Sequence, residues 1–61
     1  MAYYIVYDIN DNICFYAENN KELSNITGIR SKDINYLFKN KEYIKTIINH
    51  NFYKIYRFFE R

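Results

Sequence analysis

Sixty-one residues, a formal net charge of +2, one cysteine and no tryptophan or proline bound this chain to a single small domain, residues 1–61. A chain so short buries only about 60% of its unfolded surface, so its own core is small and homodimerisation is an expected source of added stability. The lone Cys14 excludes an internal disulfide, the lack of Cys/His clusters excludes a zinc site, and the mild charge excludes an acidic DNA mimic while permitting nucleic-acid binding.

The first residues, Met1-Ala2-Tyr3-Tyr4-Ile5-Val6, lack a basic start and a long apolar run, so the expectation is a cytoplasmic protein without leader or membrane span. Tyr3 to Tyr7 and Ile13 to Ala17 are rich in aromatic and β-branched residues and read as strands. The polar stretch Asp8-Ile9-Asn10-Asp11-Asn12 between them supplies the turn of a first hairpin. Strict alternation places Ile13, Phe15 and Ala17 on one face and Cys14 and Tyr16 on the other, with Cys14 expected as a small buried thiol.

Asn19 is a good helix N-cap, and Glu22 three residues on completes a capping-box-like pattern. Gly28, the only glycine, ends this short helix by supplying a left-handed residue. Ser31 is expected to cap a second helix, with Asp33 favoured by the positive end of its dipole. Ile34, Leu37 and Phe38 then form one apolar stripe on a helix running to about Asn40. The β-branched run Ile44, Thr46, Ile47, Ile48 makes Tyr43 to Ile48 a strand rather than a helix extension, and Asn49-His50-Asn51 turns it into a last strand, Phe52 to Phe59. The order ββααββ defines an α+β domain, an antiparallel sheet of two hairpins packed on a helix pair. Hairpins fix neighbours within each pair and leave the order between pairs open.

Leu23, Ser24, Gly28, Ile29, Ile34 and Leu37 resemble the helix-turn-helix pattern. It takes an apolar and then a small residue in the first helix, a glycine in the turn, and apolar positions in the second helix that pack against the first. Ser24 stands where alanine is commoner and Thr27 where an apolar residue is usual. The layout, with "YYIVYDINDNI" before "KELSNITGI" and "FYKIYRF" near the end, looks like the tiny helix-turn-helix proteins of phages and plasmids from AT-rich bacteria. It is similar, over the hairpin and helices, to the DNA-binding repeats of some homing endonucleases. The abundance of Ile, Asn, Lys and Tyr fits an AT-rich genome, and the cytoplasm in question is then that of a bacterial host. What the resemblance implies is a DNA-binding regulator whose second helix does the reading. Arg30, Lys32 and Lys39 are then expected on phosphates, Ser31 at the helix N-terminus, Asn35 on an adenine edge, and Tyr36 beside them. Asp33 opposes this unless it is paired.

In the last strand, Phe52, Lys54, Tyr56 and Phe58 alternate with Tyr53, Ile55, Arg57 and Phe59, so a sheet covered on one face exposes aromatic rings on the other. This supports an alternative, a phage-encoded inhibitor that binds a host protein such as a CRISPR nuclease, with Tyr36, Tyr53 and Arg57 as expected interface residues. His50, the only histidine, lacks partners at triad or metal spacing, and no Gly-rich phosphate loop is present. The expectation is a non-enzymatic binding protein with no catalytic residue, metal or cofactor.

Overall fold

The computed structural model describes residues 1–60. Two strands, β1 (Ala2–Asp8) and β2 (Ile13–Ala17), are followed by two helices, α1 (Asn20–Thr27) and α2 (Ser31–Leu37), and two further strands, β3 (Tyr43–Ile48) and β4 (Asn51–Phe59). All four strands join one antiparallel sheet in the order β2-β1-β4-β3. The first and last strands of the chain are thus central neighbours, paired from Ala2 opposite Phe59 to Asp8 opposite Tyr53. The fold is the α+β arrangement expected from the element order.

The helices cover one face of the sheet. Tyr4, Val6, Ala17 and Ile55 from the strands meet Leu23 of α1 and Ile34 and Phe38 of the α2 region, all seven at 0–1% exposure. No helix among the described residues is long and apolar enough to cross a membrane.

Local chemistry explains the elements. Asp8 holds the first turn, its carboxylate accepting from the backbone N–H of Asn10 at 2.8 Å and of Asn12 at 3.0 Å. The Asn12 hydrogen bond, reinforced by that of Asn10, holds the Asp8 carboxyl below the usual carboxylate range. A group with a depressed folded-state pKa stabilises the fold above its unfolded pKa, and that contribution is lost as pH falls through the folded value. Asp8→Asn is therefore expected to lower stability at neutral pH and to flatten the acid limb of a Tm-against-pH curve below about pH 4. A limb identical to the native one would remove Asp8 from this account.

The second hairpin turns on Asn49 and His50, at φ of 49° and 67°, between the paired residues Ile48 and Asn51. Two positive φ values in a two-residue loop define a turn that favours Asn-Gly. His50→Gly relieves the left-handed cost at the second position against glycine's extra chain entropy, and is expected to raise stability by about 0.5–1 kcal/mol in urea denaturation. A loss of stability would mean that the imidazole makes a compensating contact.

Four expectations are corrected. The β1–β2 register shifts between Val6 and Tyr7, setting Phe15 opposite Val6 but Ile13 opposite Tyr7, so Cys14 is the extra residue of a bulge. Ile13 leaves the Phe15–Ala17 face and is 66% exposed, and the Cys14 thiol is exposed rather than buried. Arg30, not Ser31, occupies the N-cap of α2 and makes no side-chain cap bond. The helix stops at Leu37 rather than Asn40, because Asn40 takes φ 60° and turns the chain. Leu37 consequently sits at the helix end, 39% exposed, instead of completing the buried stripe.

Arg57 and Tyr53, expected as exposed interface residues, are half-buried, and both stand on the helix-covered side of the sheet. Arg57 is paired with the buried Tyr4. Its guanidinium carbon lies 5.1 Å from the Phe38 ring centre and 4.9 Å from that of Phe59, and its Nη2 donates to the Phe38 carbonyl at 3.4 Å. Tyr53 packs on the edge of the core, its ring centre 6.5 Å from that of Phe15. Their position in β4 puts both on the helix-covered side, where Arg57 fills the margin of the core with its stem and stacks its charge on rings.

Candidate nucleic-acid interface

The α1–α2 unit is assembled by local signals. Asn19 Oδ1 accepts from the Glu22 N–H at 2.9 Å, capping α1. Glu22 reaches back one residue further than in a capping box, its Oε1 accepting from the Glu18 N–H at 3.3 Å. At the other end Gly28 takes φ 78° and donates its N–H to the Ser24 carbonyl at 2.8 Å. Thr27 does what an apolar residue would not: its hydroxyl donates to the Leu23 carbonyl and accepts from the Ile29 N–H, at 2.9 and 3.1 Å, stitching helix to turn.

A polar chain ties the pair to the sheet. The Tyr4 hydroxyl donates to Asn20 Oδ1, and Asn20 Nδ2 donates to Asn35 Oδ1 at 3.3 Å. Burial raises the Tyr4 pKa above its ordinary value while the Arg57 charge beside it acts in the opposite sense, and the net increase keeps the hydroxyl a donor. Asn20 thus links sheet, α1 and α2, a role that its position after the N-cap does not reveal.

All six residues expected at the interface, Arg30, Ser31, Lys32, Asn35, Tyr36 and Lys39, are exposed. Helical spacing puts Lys32, Asn35 and Tyr36 along one stripe, and Lys39 continues it just past the helix, its N–H donating to the Tyr36 carbonyl at 3.2 Å. Arg30 lies at the other end with its Nε 2.9 Å from Asp33 Oδ2. The Asp33 charge, unfavourable beside a phosphate, is thereby matched within the helix. Being solvent-exposed, the pair contributes little to stability, about 0–1 kcal/mol. Asn35 presents its amide, but its carbonyl already accepts from Asn20, so a two-point contact to adenine requires that bond to open.

Lys41 joins this surface without having been expected there. Its N–H donates to the Phe38 carbonyl at 2.9 Å, and the left-handed Asn40 folds the chain so that Tyr36, Leu37, Lys39 and Lys41 line one shallow hollow. Asn40 was the available signal, since asparagine tolerates positive φ and marks a reversal.

Among the described residues no helix lies on the opposite face of the sheet. Rings run across all four strands: Tyr16 to Tyr3 at 5.8 Å, Tyr3 to Phe58 at 5.3 Å, Phe58 to Tyr56 at 6.4 Å and Tyr56 to Tyr43 at 5.0 Å between centres. The aromatic face expected from the alternation of β4 is therefore present. Among the described residues there is no group of three or more His, Cys, Asp or Glu side chains arranged to hold a metal ion.

Comparison of the chain with protein-family models, with curated proteins and with solved structures finds no match. Function is therefore read from the fold and the surface chemistry.

Proposed function

We propose that this protein is a small DNA-binding module that presents α2 to duplex DNA, acting in the cytoplasm of a bacterial host as a regulator of phage or mobile-element type. One observation carries the reading: α2 is anchored through Ile34 and Phe38, while its outward stripe gathers Lys32, Asn35, Tyr36 and Lys39 with Lys41 alongside. A short helix with an apolar inner side and lysines at both ends of its outer side suits phosphate contacts flanking a groove. With Arg30 bound to Asp33, the cations of this surface that have no ion-pair partner among the described residues are Lys32, Lys39 and Lys41.

Fluorescence anisotropy with labelled AT-rich duplex tests the proposal. Binding that weakens steeply between low and physiological salt is the expected result. Absence of binding at low salt would sink it.

A second reading, occupation of a protein partner such as a host defence nuclease, is favoured by one feature of the same region. Tyr36 is 74% exposed and Leu37 39%, and Leu37 opens onto a groove shared with Ile29, Tyr43 and Ile44. Apolar and tyrosine side chains so placed fit a protein surface better than a phosphate backbone.

A further inference from the structure

The two edges of the sheet differ. β2 is broken by its bulge, whereas β3 pairs with β4 from Tyr43 to Ile48 without a register shift, and the chain holds no proline. Bulges and prolines are usual devices for blunting an edge, and β3 has neither. The Arg57 N–H donates to the Glu42 carbonyl at 3.1 Å, and with the register this makes Ile44–Ile55, Thr46–Tyr53 and Ile48–Asn51 the hydrogen-bonded pairs. The N–H and C=O groups of Tyr43, Lys45 and Ile47 therefore point away from β4, to the side where no strand lies among the described residues.

A groove runs along this free edge. Tyr43 and Lys45 from the outer face and Ile44 and Thr46 from the helix-covered face line it together with Ile29 and Leu37. Ile29 and Ile44 are half-buried at the margin of the core, and Leu37 is 39% exposed. A strand laid beside β3 thus finds free donors and acceptors for its backbone and an apolar wall under its alternate side chains. We propose that the β3 edge takes up an extended segment of a partner protein, apolar and acidic at alternate positions, as a fifth strand. Residues of that segment opposite Ile44 and Thr46 cover Ile29 and Leu37. Those opposite Tyr43 and Lys45 emerge on the outer face, where a carboxylate meets the Lys45 ammonium.

Charge chooses the occupant. Lys39, Lys41 and Lys45 outnumber Glu42 along this stretch, and none of the three lysines has an ion-pair partner among the described residues. A second copy of the chain would bring the same excess. Pairing centred on Lys45 sets it against its own counterpart, and a lysine in an edge strand deters such self-pairing. An acidic segment supplies the missing sign instead. The proposal rests on the reading of this groove as a protein contact and is independent of DNA binding.

Titration of the ¹⁵N- and methyl-labelled whole chain with an acetylated, amidated octapeptide of alternating valine and glutamate tests this by NMR. The amides of Tyr43, Lys45 and Ile47 are expected to shift and to exchange more slowly with solvent, together with methyl shifts at Ile29, Leu37 and Ile44, with dissociation at about 0.1–1 mM. The valine–lysine counterpart should bind at least about tenfold more weakly, and Lys45→Glu should reverse that preference. Residue 45 is exposed, and a dispersed amide spectrum checks that the variant folds. Methylating the backbone nitrogens of the glutamates alone or of the valines alone should abolish binding in one case and spare it in the other, because an added strand bonds β3 through one edge only. Equal effects of the two methylations, or no shift at about 2 mM peptide, overturn the proposal. Methyl shifts at Ile29 and Leu37 without protection of the edge amides would keep the groove as a protein contact and overturn strand addition. Protection that rises with protein concentration in the absence of peptide would give the edge to a second copy and overturn the proposal as well.

Discussion

Phe38→Ala is expected to remove about 3–5 kcal/mol of folding stability, a large share of the whole. Phe38 is fully buried, its ring centre is 5.5 Å from that of Tyr4, and it receives the Arg57 guanidinium on its face. Truncating a buried phenylalanine costs about 3–5 kcal/mol, from forfeited transfer energy and the cavity left behind. Stability of roughly 0.05–0.15 kcal/mol per residue gives a domain of this length only about 3–9 kcal/mol in total. The loss is aggravated here because Arg57 Nε is already buried without a hydrogen-bond partner among the described residues, so removal of the ring takes away part of what compensates that charge. Phe38→Leu, which refills much of the space, should cost far less. Urea unfolding followed by circular dichroism reads both, and an alanine variant within about 1 kcal/mol of native would refute this account of the core.

Neutralising Arg30, Lys32 and Lys39 together with glutamine is expected to weaken duplex binding by about 10²- to 10³-fold at about 0.1 M salt. Every phosphate that the protein no longer neutralises takes about 0.9 from the slope of log affinity against log salt concentration, so the slope should fall by between about 2 and 3. The lower bound applies because Arg30 is partly committed to Asp33. All three side chains are exposed, so stability should change by no more than about 0.5 kcal/mol and an affinity change is attributable to the surface itself. Unchanged affinity and slope in the triple variant would rule out α2 as the DNA-contacting element. Lys41 supplies a further check: Lys41→Gln added to the triple variant should lower the slope once more, since the Asn40 reversal brings it beside Lys39.

Much of this protein is determined by short-range chemistry and is therefore legible in the chain. Asn19 caps α1 because its side chain reaches an N–H three residues away, and Gly28 ends it because only the local backbone needs a positive φ. The strands follow from β-branched and aromatic runs, and the aromatic outer face follows from their period of two. The exposure of Lys32, Asn35, Tyr36 and Lys39 follows from the helical period, which turns them away from Ile34 and Phe38, whereas Arg30 and Ser31 are exposed because they stand at the N-terminal end of α2.

What only the tertiary structure decided depends on contacts between distant residues. Pairing β1 with β4 places the two ends of the chain at the centre of the sheet, a choice among strand orders that no hairpin encodes. That pairing sets Arg57 against Tyr4 and under Phe38, which turned an expected surface arginine into part of the core margin. The bulge at Cys14 is a mismatch between β1 and β2, invisible in either strand alone, and it reversed the faces assigned to Ile13. Asn20 and Asn35 acquire their bond only when the sheet holds the helices together. Periodicity specifies which side of an element is apolar, but the free energy that chooses its neighbour comes from packing across the whole domain.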